Sequence, residues 1–152
     1  MPTVLFLCVA NSARSQMAEG LARATAPAGY QFLSAGSEPG TLHPLAVQAL
    51  AELGIDISQQ RAKGLSHIPL DEVGTIVTLC AEEVCPYVPL TVRRVHWPLG
   101  DPAKVAGSDA ECLGAFRATR DRLREVLPTL WTDPALSEVS LSDPAKRRST
   151  GR

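Results

Sequence analysis

The stretch Val4–Gly20, VLFLCVANSARSQMAEG, decides the architecture. Its first part belongs to Thr3–Cys8 (TVLFLC), a short and continuously apolar run rich in strand formers, the pattern of a strand buried on both faces. Its second part continues as SQMAEGLARATA, good helix formers with Met17 and Leu21 stacked at four-residue spacing, until PAG at Pro27–Gly29 breaks the run. The turn between them holds no glycine. It holds Cys8, Asn11, Arg14 and Ser15 instead.

Outward from this unit the alternation repeats. YQFLSAG (Tyr30–Gly36) reads as a second strand. HPLAVQALAELGI (His43–Ile55) reads as a helix with Pro44 in its first turn and Gly54 as C-terminal cap. GTIVTLC (Gly74–Cys80) is a third apolar strand that again ends on a cysteine, and VRRVHW (Val92–Trp97) is a fourth. A last helix is expected over about Asp109–Leu130, with Leu113, Phe116, Leu123, Leu127 and Leu130 along one face. This order predicts an α/β fold: a single-domain open sheet of about four parallel strands with helices on both faces. Residues 1–131 form that domain. The segment 132–152 lacks periodicity, mixes proline, serine and charge, and is expected to be a mobile tail.

Composition narrows the function. The 152 residues are 45% hydrophobic, enough for one real core, and carry a formal net charge of −1, which gives no electrostatic case for nucleic acid or an anionic membrane. No apolar run approaches the roughly 20 residues that span a bilayer, and no basic segment precedes the N-terminal apolar run. A cytoplasmic location is therefore expected, where thiols stay reduced. Cys8, Cys80, Cys85 and Cys112 then read as reactive, metal-binding or buried rather than as structural disulfides.

In an open parallel sheet, ligands bind beyond the carboxyl ends of the strands. Cys8 and Cys80 both close strands, so both are expected to face one crevice. Between Cys8 and the following helix, the backbone N–H groups of Val9, Ala10, Asn11, Ser12, Ala13 and Arg14 can converge into a nest that binds a tetrahedral oxyanion. Arg14 adds a planar fork for two oxyanion oxygens. The same donors favour a thiolate at Cys8, and Ser15 can donate its hydroxyl to the sulfur. Asn11 stands where glycine is missing because it tolerates positive φ.

CVANSARSQMAEG resembles the nucleophile loop of the low-molecular-weight tyrosine phosphatase superfamily, and SQMAEG in particular is similar to its thioredoxin-coupled arsenate reductase branch. SAG (Ser34–Gly36), HPLAVQALAELGIDIS (His43–Ser58), VTLCAEEVCP (Val77–Pro86) and HWPLGDP (His96–Pro102) follow in that branch's order, covering about residues 3–131. The resemblance implies Cys8 as nucleophile, Arg14 as oxyanion clamp, Ser15 as thiolate stabiliser and Asp101, ahead of Pro102, as general acid. His96 and Trp97 read as packing residues, and Cys112 as a packing or surface residue.

The pair Cys80 and Cys85, spaced C-x4-C, separates a reductase from a phosphatase, because dithiol chemistry supplies two electrons. By resemblance, Cys8 forms an arseno-adduct, Cys80 attacks the Cys8 sulfur, and Cys85 carries the disulfide outward to Cys80–Cys85. Thioredoxin then reduces that pair as electron donor; no bound cofactor is implied, and a monomer is expected. AEEV (Ala81–Val84) must let Cys80 leave its strand end. A structural zinc site needs four ligands, which Cys112 and the three histidines do not complete by spacing, so no metal is assigned.

One alternative is a low-molecular-weight phosphatase that hydrolyses phosphomonoesters, since arsenate and phosphate share shape and charge. That class carries Asp-Pro-Tyr near its C-terminus, whereas Asp101-Pro102 precedes Ala103 and no tyrosine follows Tyr87. Weak phosphatase activity remains an expected side reaction. The other alternative is a non-enzymatic oxyanion-binding protein, which would need no thiol relay. Two positions depart from the family: Ala10 replaces a glycine, and Ala13 stands where a small or sulfur residue lies. Some members hold potassium with groups that match Asn11, Glu19 and Ser34, and Lys63 occupies the position of a further acidic ligand. Its ammonium is expected to replace the cation.

Overall fold

The computed structural model describes residues 2–81, 87–89 and 91–132. Four strands form the sheet: β1 (Thr3–Cys8), β2 (Gln31–Gly36), β3 (Thr75–Cys80) and β4 (Arg93–Leu99). They are all parallel and lie in the order β2-β1-β3-β4. The chain leaves β1 toward β2 on one side and returns to β3 on the other. The strand order therefore reverses direction beside Cys8, the place where open α/β sheets form a ligand crevice.

Among the described residues the α-helices are α1 (Arg14–Thr25), α2 (Pro44–Ala51), α3 (Asp109–Val126) and α4 (Thr129–Thr132). Period-two alternation divides the strand side chains between two cores. On one face Val4, Phe6, Phe32, Val77 and Leu79 pack with Met17 and Leu21 of α1, Leu50 of α2, Phe116 and Leu123 of α3 and Leu130 of α4. On the other, Leu5, Leu7, Ala35 and Ile76 pack with Ile68, Val73, Val88 and Val92. Among the described residues, helical cover of that second face comes from two 3-10 turns, Leu65–His67 and Leu70–Glu72. The expected layers are present but unequal in thickness.

Several boundaries differ from those expected, for local reasons. The α2 helix stops at Ala51, and the chain turns through Gly54 at φ +78°, with Ile55 N donating to Leu50 O. Gly54 thus caps the helix as expected, three residues beyond its last regular residue. Pro128, which lacks an N–H, divides the expected final helix, so α3 ends at Val126 while Leu127 and Leu130 still reach the core. The start of α3 is set by a capping box not read from the sequence: Ser108 Oγ accepts from Glu111 N, and Glu111 Oε1 accepts from Ser108 N. His96 is exposed rather than packed, with Nδ1 2.7 Å from Thr78 Oγ1, whereas Trp97 does pack against the core. No described helix is long and apolar enough to cross a membrane.

Candidate functional site

Residues 8–15 turn tightly between β1 and α1, and Asn11 makes the turn at φ 51°. Asparagine carries this conformation in place of glycine, as anticipated. Cys8 Sγ is buried, 2.9 Å from Ser15 Oγ, and accepts from the Asn11 amide at 3.2 Å. Asn11 Nδ2 in turn donates to Ser15 Oγ at 2.7 Å. Asn11 occupies one lone pair of the hydroxyl, and when Cys8 is a thiolate the Ser15 proton is the one that bridges oxygen and sulfur.

The direction of the loop amides follows from where the carbonyls go. Val9 O accepts from Glu38 N, Ala10 O from Gly40 N and Ser12 O from His43 N, each at 2.9 Å, and Asn11 O accepts from Gln16 Nε2 at 2.9 Å. Each trans peptide opposes its C=O and N–H. Outward carbonyls therefore turn the amides of Ala10, Asn11, Ser12 and Ala13 to the opposite side, where Asn11 N meets the Cys8 sulfur. The first turn of α1 carries no acidic residue, so its positive end adds to this donor set unopposed. Such a cradle fits a tetrahedral oxyanion.

Arg14 is buried, yet its guanidinium is not confined to the loop. Nη1 donates to Leu99 O at 2.9 Å, and Nη2 lies 3.8 Å from Asp101 Oδ2. Leu99 is presented by an irregularity in β4: Thr78 pairs with His96, but Cys80 pairs with Leu99, so the edge strand carries an extra residue around Pro98. Asp101 also accepts from Ala103 N at 3.0 Å and caps the 3-10 turn Pro102–Lys104. It is at once a turn residue and the acidic neighbour of Arg14.

Cys8 and Cys80 end adjacent parallel strands. Val77 and Leu79 point to the face shared with Phe6, and Ile76 to the other. Alternation continued from these residues gives Cys8 and Cys80 opposite faces at the carboxyl end of the two central strands. Cys80 is buried and disulfide-bonded, whereas Cys8 and Cys112 carry free thiols. Cys85 and the segment 82–86 lie outside the described residues, as does the expected tail beyond Thr132. Cys112 Sγ lies 3.4 Å from Val105 O.

Glu19, buried on α1, is compensated by Arg23 Nη2 at 2.7 Å, Lys63 Nζ at 3.6 Å and the Ser34 hydroxyl. Lys63 Nζ lies also 3.4 Å from Ser34 Oγ and 3.2 Å from Arg61 O. Potassium does not fit this set of residues, because a cationic nitrogen already stands among the oxygens that would ligate it.

Sequence reasoning missed the outer strap Gly36–His43, the grip of Gln16 and the role of Leu99 O. The first and last act through backbone groups, which any residue type supplies. Gly36 was the available signal: a Cβ there would lie 2.3 Å from Val9 O and 2.8 Å from Asn11 N, so only glycine lets the strap approach.

The family model for low molecular weight phosphotyrosine protein phosphatases matches residues 3–140. An arsenate reductase of Halalkalibacterium halodurans is 41% identical over 128 residues, spanning 83% of this chain and 92% of the relative. A solved arsenate reductase in its phosphate-binding state superposes with a TM-score of 0.74 at 31% identity, covering 92% of this chain and 100% of that one. The thioredoxin-dependent arsenate reductase of Corynebacterium glutamicum matches with a TM-score of 0.64 at 29% identity, over 86% of this chain and 62% of its own.

Proposed function

Because the chain belongs to the low molecular weight phosphotyrosine protein phosphatase family, we propose that it is an arsenate reductase working through a relay of Cys8, Cys80 and Cys85 with thioredoxin as reductant. The observation that carries this reading is the inward amide cradle around a free Cys8 thiol, one strand away from a Cys80 already in disulfide linkage. The first fits an oxyanion. The second supplies redox chemistry that hydrolysis does not need.

The Cys8 thiolate attacks arsenic while the loop amides and Arg14 hold the equatorial oxygens. Asp101 delivers its proton to the departing oxygen, which leaves as water. Cys80, as thiolate, then attacks the Cys8 sulfur. The sulfur–arsenic bond breaks with its electron pair going to arsenic, so arsenic(V) becomes arsenic(III) and a Cys8–Cys80 disulfide forms. Cys85 attacks Cys80, frees Cys8 as thiolate and leaves a Cys80–Cys85 disulfide. A dithiol of thioredoxin reduces it, and two electrons enter for each arsenite released. Because alternation gives the first two cysteines opposite faces, the relay requires Cys80 to reach Cys8 around the carboxyl end of β3.

The test is arsenate-dependent NADPH oxidation with purified thioredoxin and thioredoxin reductase, run beside glutathione with glutaredoxin. Turnover with the first pair alone is expected. Turnover with glutaredoxin alone would replace the relay by a different route, and no arsenate-dependent oxidation with either would favour a phosphatase. The position of Lys63 further supports catalysis independent of potassium. Exchange of sodium for potassium is expected to leave the rate unchanged.

A further inference from the structure

We propose that Gln16 is a positioning residue that sets the direction of the Ser12 amide and the Asn11 side chain, and so the affinity of the cradle for an oxyanion. The inference rests on the oxyanion reading of Cys8 and assigns part of that site to a side chain that touches neither sulfur nor substrate.

Gln16 is fully buried in the first turn of α1. Its Nε2 lies 2.9 Å from Asn11 O, 3.0 Å from Asn11 Oδ1 and 2.8 Å from Arg61 O. Two N–H bonds face three acceptors, so one hydrogen is shared by the two Asn11 oxygens. The amide cannot turn over, because its Oε1 accepts from Gln60 Nε2 at 2.7 Å, and Gln60 also donates to Gln16 O at 3.1 Å. Lys63 N supplies a second donor to Asn11 Oδ1 at 2.9 Å.

Holding Asn11 O outward aims the Ser12 N–H inward, across one rigid peptide plane. Holding Asn11 Oδ1 outward leaves Nδ2 pointing at Ser15 Oγ, which fixes the hydroxyl oxygen 2.9 Å from Cys8 Sγ. The other three loop carbonyls are held by backbone amides of the strap. Asn11 O is the one held by a side chain, so its peptide is the one that a single substitution releases. The positive φ of Asn11 makes that release consequential, since asparagine relaxes readily to the ordinary right-handed region.

The experiment uses the full chain, reduced, with alkylation of each cysteine by iodoacetamide at pH 6 followed by peptide mass mapping, with and without inorganic phosphate. Gln16→Met keeps length and volume but removes both donors. About tenfold slower alkylation of Cys8 and about tenfold more phosphate for half-protection are expected, the scale of one lost orienting hydrogen bond. Alkylation of Cys112 should not change, which separates a directed effect from general loosening. Should Gln16→Met fail to fold, Gln60→Leu tests the same chain from outside and is expected to shift both readouts in the same direction by a smaller factor. Unchanged Cys8 alkylation and unchanged protection in the folded variant would overturn the proposal. If phosphate fails to protect Cys8 in the unsubstituted chain, the oxyanion reading fails instead, and the alkylation rates still decide the role of Gln16.

Discussion

Arg14 and Asp101, 87 positions apart in sequence, meet at 3.8 Å beneath the carboxyl end of β4, with the Leu99 carbonyl fixing the guanidinium at 2.9 Å. The guanidinium and the carboxylate thus stand side by side at the loop, Arg14 held by Leu99 O and Asp101 by Ala103 N. Arg14→Lys keeps the charge but loses the planar fork. It is expected to lower kcat/KM for arsenate by about 10²–10³, the scale of one lost transition-state donor. Asp101→Asn should act mainly on kcat. In the double variant the losses should fall short of additive when both are measured by steady-state kinetics.

The three cysteines of the proposed relay are separable by chemistry. Cys8→Ser is expected to abolish both arsenate reduction and hydrolysis of para-nitrophenyl phosphate. Cys80→Ser and Cys85→Ser should each stop reductive turnover while leaving residual hydrolysis intact. Full arsenate reduction by Cys85→Ser with thioredoxin would contradict the relay.

Gly36 lets the strap approach the loop closely enough for its amides to hold the loop carbonyls. Gly36→Ala places a methyl group 2.3 Å from Val9 O and 2.9 Å from Val9 C, both backbone atoms that cannot rotate aside. Urea unfolding should show a loss of about 1–3 kcal/mol, the usual range for overpacking. Phosphate protection of Cys8 should weaken as well, because the displaced carbonyl turns the Ala10 amide with it.

Acid stability has an identifiable source where α2 meets α3. Arg117, and with it Arg120, hydrogen-bonds Glu52 and lowers its pKa from 4.5 to about 2. A folded value below the unfolded one gives stability that is fully present above about pH 4.5 and is lost as pH falls toward 2. Glu52→Gln should lower the Tm at pH 7 and flatten its dependence across that window in thermal melts. An unchanged pH slope would remove Glu52 as the source.

Much of this protein was legible in its residue order. The strand ends of β1 and β3, the start of α1 and the cap at Gly54 all follow from local sterics and hydrophobic period, which act within a few residues. The chemistry of the Cys8–Ser15 loop was also legible, because a thiol, a guanidinium and a turn-tolerant asparagine are side-chain properties. Direction, by contrast, came from long-range packing. Sheet order placed the topological switch point between β1 and β3, alternation gives Cys8 and Cys80 opposite faces, and the strap with Gln16 turned four carbonyls outward. Those outcomes depend on backbone groups brought together from distant positions, and backbone groups are common to every residue type.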